Sequence, residues 1–187
     1  MTIKVLIIPG LRNSGPIHWQ SLWQLKYPEL IRVMQPDWHQ PHLDTWAAVL
    51  DRSISAASGK AFLVAHSFGC LAALKRVASR SDDVAGMLLV APADPVRFGL
   101  GEFQIEPLNL PTVLVASRND PWLAFKKARA LACQLGSGFV DLGAAGHINA
   151  ESGFGPWPEG QRLLKYLLAQ TREQGAPSVF PELAPAT

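Results

Sequence analysis

The chain has 187 residues, 48% of them hydrophobic and 17% charged, which excludes an intrinsically disordered polymer and leaves room for one domain with an ordinary core. Seventeen basic residues against fifteen acidic ones give a net charge of +2, with no basic stripe for nucleic acid. The longest stretch free of Asp, Glu, Lys and Arg, Ala61 to Leu74, has fourteen residues, short of the ~18 that span a bilayer, so neither a nucleic-acid nor a membrane partner is expected.

Ile3 to Ile8 is rich in β-branched residues and stops at Pro9-Gly10, which predicts a strand covered on both faces. Trp19, Leu22, Trp23 and Tyr27 follow at helical spacing, and Pro28 ends that helix. Ile31 to Met34 reads as a second, short strand. Asp44 opens a helix with Trp46, Val49, Leu50 and Ile54 on one side, closed by Ser58-Gly59. Ala61 to Ala65 is a third strand, Leu71 to Ala78 a helix and Ala85 to Ala91 a fourth strand. Thr112 to Ala116, a helix over Trp122 to Leu135, Phe139 to Leu142 and a last helix over Pro158 to Gln170 complete the series. Strands alternating with helices imply an α/β domain with about six mostly parallel strands and helices on both faces. The domain is expected over residues 1–170, with 171–187 a flexible proline-bearing tail.

Ligands of such sheets lie beyond the carboxyl ends of the strands, which is where chemistry is sought. Ala65-His66-Ser67-Phe68-Gly69 stands between a strand and a helix, with a small residue two before the serine and glycine two after it. That spacing describes a nucleophile elbow, a turn so tight that bulk at either flank would collide with its neighbours. It presents the hydroxyl at a helix N-terminus, beside an unpaired amide. A serine N-cap after a buried strand is the plainer alternative.

A serine hydroxyl needs a base. His147 lies in Gly146-His147-Ile148-Asn149, past the sixth strand. His66 is expected to point away from the serine, His18 to line the pocket, and His39 and His42 to be solvated rather than metal-bound. No metal or cofactor is expected. The imidazole in turn needs an acid to fix its tautomer: Asp120 follows the fifth strand, Asp94 competes from the end of the fourth, and Asp141 is less plausible. The order Ser67, Asp120, His147 matches α/β-hydrolases. One oxyanion donor would be the Phe68 amide and the other Leu11, with Arg12 second choice.

These motifs, with the Pro9-Gly10 loop, His18-Trp19, Trp23 and Ser117-Arg118-Asn119-Asp120-Pro121, resemble the α/β-hydrolase superfamily, and within it the small YdeN-like or retinoblastoma-binding-protein-nine-like serine hydrolases. The resemblance covers residues 3–170. It implies a three-layer reduced hydrolase fold, a triad of Ser67, Asp120 and His147, and small ester or amide substrates cleaved without a cofactor. The Leu-x-Cys-x-Glu motif that would bind retinoblastoma protein is absent, so that partnership is not expected. A non-catalytic binding or scaffolding protein on the same fold is the rival reading.

The segment from Pro92 to Leu110 leaves space for a small flap, with Phe98, Leu100, Phe103 and Ile105 at an apolar entrance or packed on the body. Trp19, Trp23 and Trp46 read as core, while Arg12, Trp122 and Trp157 are candidates to touch substrate. Cys70 and Cys133 read as reduced, buried thiols, and the first residues lack the apolar run of an export signal, so a cytoplasmic location is expected.

Overall fold

A computed structural model describes residues 3–101 and 105–172. Six strands, β1 (Ile3–Ile8), β2 (Ile31–Arg32), β3 (Lys60–His66), β4 (Val84–Val90), β5 (Thr112–Ala116) and β6 (Gly138–Asp141), form one sheet in the order β2-β1-β3-β4-β5-β6. Every pairing is parallel. The helices are α1 (Trp19–Lys26), α2 (Leu43–Ala56), α3 (Phe68–Ser79), α4 (Phe125–Leu135) and α5 (Pro158–Arg172).

Period-2 alternation divides each central strand between two cores. Leu6, Ile8, Leu63, Ala65, Met87 and Leu89 face α2, α3 and α4, meeting Leu50, Ile54, Leu74, Val77 and Ala132. Val5, Ile7, Phe62, Val64, Leu88 and Val90 face α1 and α5, meeting Trp19, Trp23, Leu164 and Leu168. The apolar continuity of β1, β3 and β4 is the signature of strands buried on both sides, and it produces the three layers expected.

Chain order matters for function at one place. β1 lies between β2 and β3, so the chain leaves β1 toward one edge and leaves β3 toward the other. Loops diverge there and open a crevice at the carboxyl ends of β1 and β3. The Pro9-Gly10 loop and Ser67 are the two segments that flank it.

Three elements differ from expectation. β2 has two residues rather than four, because it pairs with β1 only through Leu6–Ile31 and Ile7–Arg32 before Pro36 redirects the chain. α3 begins at Phe68, directly after Ser67, rather than at Leu71. α4 begins at Phe125 rather than Trp122, since residues 120–124 form a bend instead of a first helical turn. The expected tail falls, apart from Thr171 and Arg172, outside the described residues, as does Phe103.

Candidate active site

Ser67 leaves β3 with φ 55° and ψ −124°, a conformation that costs a non-glycine residue on the order of 1–3 kcal/mol. Close packing holds it there. A Cβ on Gly69 would lie 2.5 Å from the carbonyl oxygens of Ile8 and Pro9, and one on Gly10 would lie 2.7 Å from Cβ of Ser67. The loop after β1 therefore abuts the serine directly, which no side chain at position 10 would allow. Ala65 stands where glycine is more usual in the elbow; it is fully buried within β3 and fits.

The His147 ring reaches the serine from the loop after β6. Its Nε2 lies 2.8 Å from Ser67 Oγ, and its Nδ1 lies 3.0 Å from both Oδ1 and Oδ2 of Asp120. An ionised carboxylate only accepts, so Nδ1 carries the proton and Nε2 accepts from the serine hydroxyl. Both partners are shielded, with side-chain exposures of 8% for His147 and 3% for Asp120. Asp120 Oδ1 also accepts from the Trp122 amide at 2.8 Å, which is why the chain bends at residue 120 instead of starting α4.

The competing acids are engaged elsewhere. Asp94 accepts from the Val96 amide at 3.1 Å and from Lys127 Nζ at 2.7 Å. Asp141 pairs with Arg118 and accepts from the Gly143 amide. That guanidinium, and then the amide, hold its carboxyl below the usual carboxylate range.

A network that residue patterns did not single out stitches the acid loop to the base loop. The Ser117 hydroxyl donates to Asn119 Oδ1 at 2.8 Å, and the amides of Ala145 and Gly146 donate to Ser117 Oγ and Asn119 Oδ1. Ser152 Oγ accepts from the His147 amide at 3.1 Å. On the other side of the loop, Trp19 Nε1 donates to the Ile148 carbonyl at 2.9 Å, and Trp23 Nε1 donates to that of Pro156. Buried Gln20 donates to the carbonyls of Ile8 and Val64, tying together the ends of β1 and β3. Of these residues, sequence reasoning placed only the tryptophans in the core.

The Phe68 amide opens α3 immediately beside Ser67, and Leu11 lines the same cleft. Arg12 is removed as an amide donor, because its N–H is bound to the Trp38 carbonyl at 2.8 Å. The cleft has a volume of about 290 Å³ and is walled by Gly10, Arg12, His18, His66, Phe98 and Trp122, among others. Trp122 is 42% exposed and sits under the Arg97 guanidinium, 5.5 Å away.

Several expectations are corrected. His66 does not point away: its ring lines the cleft 4.8 Å from that of His147, and its Nε2–H donates to the His147 carbonyl at 2.9 Å. At Ser67 the positive φ turns the chain out of β3, and His66 packs against His18 and Trp19 beside the cleft. Trp157 is buried against Trp19 and Trp23, away from the cleft. Of the two alternatives for the flap residues, packing on the body describes Ile105, in the core with α4, and Leu100, against the Trp46 cluster; Phe98 packs on that cluster too and also lines the cleft. Cys70 is buried, whereas Cys133 is exposed on α4. His39 and His42 are exposed, and no metal-binding cluster occurs among the described residues.

Residues 5–166 match the serine hydrolase family. The chain belongs to that family. A solved structure of a protein assigned as a YdeN-like hydrolase, from Pectobacterium atrosepticum, is 41% identical, with a TM-score of 0.88 over 91% of this chain and 92% of the other. Bacillus subtilis YdeN, assigned as a hydrolase, is 28% identical over 84% of this chain and 92% of its own length. Est1E of Butyrivibrio proteoclasticus, 13% identical with a TM-score of 0.71 over 92% of this chain and 88% of the other, shares the fold. The fold is that of the α/β-hydrolases, and this hydrolase has no helix among its described residues long and apolar enough to cross a membrane.

Burial has a consequence for stability. Desolvation, then the Arg32 and His147 charges, push the His18 pKa down from 6.5 to about 4. Burial, first of all, holds His66 well below its ordinary range. Below pH 6.5 the unfolded chain takes up protons that the folded hydrolase refuses, so stability falls as pH drops toward 4. His18 alone should cost about 2 kcal/mol between pH 7 and pH 5, with His66 adding to it. Urea unfolding at the two pH values is expected to show that loss, and His18→Asn to reduce it. Equal midpoints in wild type would contradict neutral burial.

Proposed function

We propose that this hydrolase cleaves small carboxylic esters through an acyl-enzyme on Ser67, with Ser67, His147 and Asp120 as its catalytic triad. The carrying observation is the continuous hydrogen-bonded relay from serine hydroxyl to imidazole to buried carboxylate at the mouth of a cleft. Ser67 Oγ attacks the acyl carbon while its proton passes to His147 Nε2; Asp120 stabilises the resulting imidazolium. The amides of Phe68 and Leu11 receive the negative oxygen, worth a few kcal/mol in the transition state. Imidazolium then protonates the leaving group. Water, deprotonated by the same nitrogen, releases the acid and regenerates the serine.

The size of the cleft supports a small substrate, since drug-sized ligands occupy pockets of roughly 300–1,000 Å³. Amides and thioesters can follow the same steps, with esters the easiest acyl donors. A fluorophosphonate probe is expected to label wild type at Ser67, located by peptide mass, and short p-nitrophenyl esters to be hydrolysed. Absence of both labelling and turnover would favour a scaffolding protein on a hydrolase fold.

A further inference from the structure

Beside the imidazole of His147 the cleft is walled by a large aromatic side chain that the acyl-transfer steps do not use. Trp122 is 42% exposed and borders the same cleft as Ser67, Gly10 and Leu11. Its backbone is held at both polar groups: the N–H donates to Asp120 Oδ1 at 2.8 Å, and the carbonyl accepts from the Asp94 amide at 3.1 Å. With both of those turned toward protein, it is the side chain that meets the cleft. The indole lies 6.0 Å, ring to ring, from the His147 imidazole, tilted by 46°. The Arg97 guanidinium sits over the indole at 5.5 Å and braces it. Phe98, the next residue after that arginine, lines the cleft as well, its ring packed on buried Phe68 at 4.9 Å.

The tryptophans that build the core, Trp19, Trp23 and Trp46, are at most 1% exposed, so Trp122 stands apart from them. Its aromatic surface is fixed in orientation, open to solvent and adjacent to the position where an acyl bond would break. Such a surface favours a flat partner, because offset or edge-to-face ring pairs gain attraction beyond the area they bury. A saturated ring of the same carbon count gains the burial alone. Resting on the proposed ester hydrolysis, we propose that Trp122 determines specificity by stacking an aromatic ring of the substrate a few bonds from the scissile ester. Preferred substrates are then esters of aryl-bearing acids or alcohols rather than plain alkyl esters.

Matched rings test this. On the acyl side, methyl 3-phenylpropanoate and methyl 3-cyclohexylpropanoate differ only in ring saturation; on the alcohol side, 2-phenylethyl acetate and 2-cyclohexylethyl acetate do. Each ratio of kcat/KM is divided by the ratio of uncatalysed hydrolysis rates, removing intrinsic reactivity. In wild type, at least one pair should favour the aryl ester about threefold or more, and the responding pair tells on which side the ring sits. Trp122→Leu should bring that ratio close to one, while Trp122→Phe should keep most of the preference. Any disturbance passed along the chain to Asp120 would slow both members together and leave the ratio in place. If Trp122→Leu does not fold, Trp122→Gln keeps a long side chain without a ring and should also lose the preference.

Ratios near one in wild type for both pairs, or a preference unchanged in Trp122→Leu, overturn the proposal. If wild type cleaves none of the four esters, it is the proposed ester hydrolysis that fails. Trp122 is then read directly in Ser67→Ala, by its indole N–H resonance, identified from its loss in Trp122→Phe on that background, while each ester is titrated in. Tighter binding of the aryl ester in either pair supports the stacking role; equal binding, or none, refutes it.

Discussion

Ser67→Ala is expected to lower kcat on p-nitrophenyl acetate by about 10⁴- to 10⁶-fold, the range seen when a triad nucleophile is removed, while the melting temperature stays close to that of wild type. The size follows from what the hydroxyl does. It is the atom that forms the acyl bond, and Ala leaves water as the sole nucleophile in a cleft whose remaining help is its amides and its shape. The neutrality toward folding follows from what the hydroxyl does not do. Its contact to protein is the single bond to His147 Nε2, worth about 1 kcal/mol net, and that nitrogen lines an accessible cleft where water can replace it. The positive φ is shared by Ser and Ala, so the backbone strain neither grows nor is relieved. Fluorophosphonate labelling should vanish with turnover. Ester cleavage persisting within tenfold of wild type would sink the acyl-enzyme mechanism, and a large drop in melting temperature would shift the comparison to Ser67→Cys as a second variant.

Much of the architecture was legible because it rests on period. The apolar runs Val5–Ile8 and Ala61–Ala65 read as strands hidden on both faces, and the interleaved amphipathic segments supply the covering helices. The serine, histidine and aspartate were legible for a different reason, that each follows a strand at its carboxyl end, where loops converge. Periodicity says little about what bends a backbone. The helix was expected from Trp122, yet α4 begins at Phe125, because the Asp120 carboxylate is turned toward His147 and to the Trp122 amide. His66 was assigned to the far side by strand alternation, which the elbow itself abolishes at the next residue. Ser117 and Asn119 were noted only as part of a motif and given no role, and Gln20 was not singled out, because a lone buried polar side chain reads in sequence like any surface one. The carbonyls and amides they satisfy come from segments far away in the chain.

Asp120→Asn should reduce kcat by roughly 10³- to 10⁴-fold, whereas Asp94→Asn should change it less than about threefold. The two residues are chemically alike and both follow parallel strands, so the contrast isolates geometry. Asp120 receives the Nδ1 proton of His147 through both oxygens and has almost no access to water. An amide there offers one acceptor and one donor; with the donor facing the ring, Nδ1 must accept and the proton moves to Nε2, where it can no longer accept from the serine. Asp94 is spent on the Val96 amide and Lys127, and its replacement weakens a half-exposed ion pair worth ~1 kcal/mol or less. The side-chain amide introduced by Asp120→Asn keeps a carbonyl oxygen for the Trp122 N–H, so the bend should persist and folding should be little affected. The pH profile separates this from simple misfolding. Hydroxide can substitute for the lost base, so the residual activity of Asp120→Asn should climb with pH above about 9, where wild type has levelled off. Equal losses in the two variants, or a residual rate flat with pH, would remove Asp120 from the proposed triad.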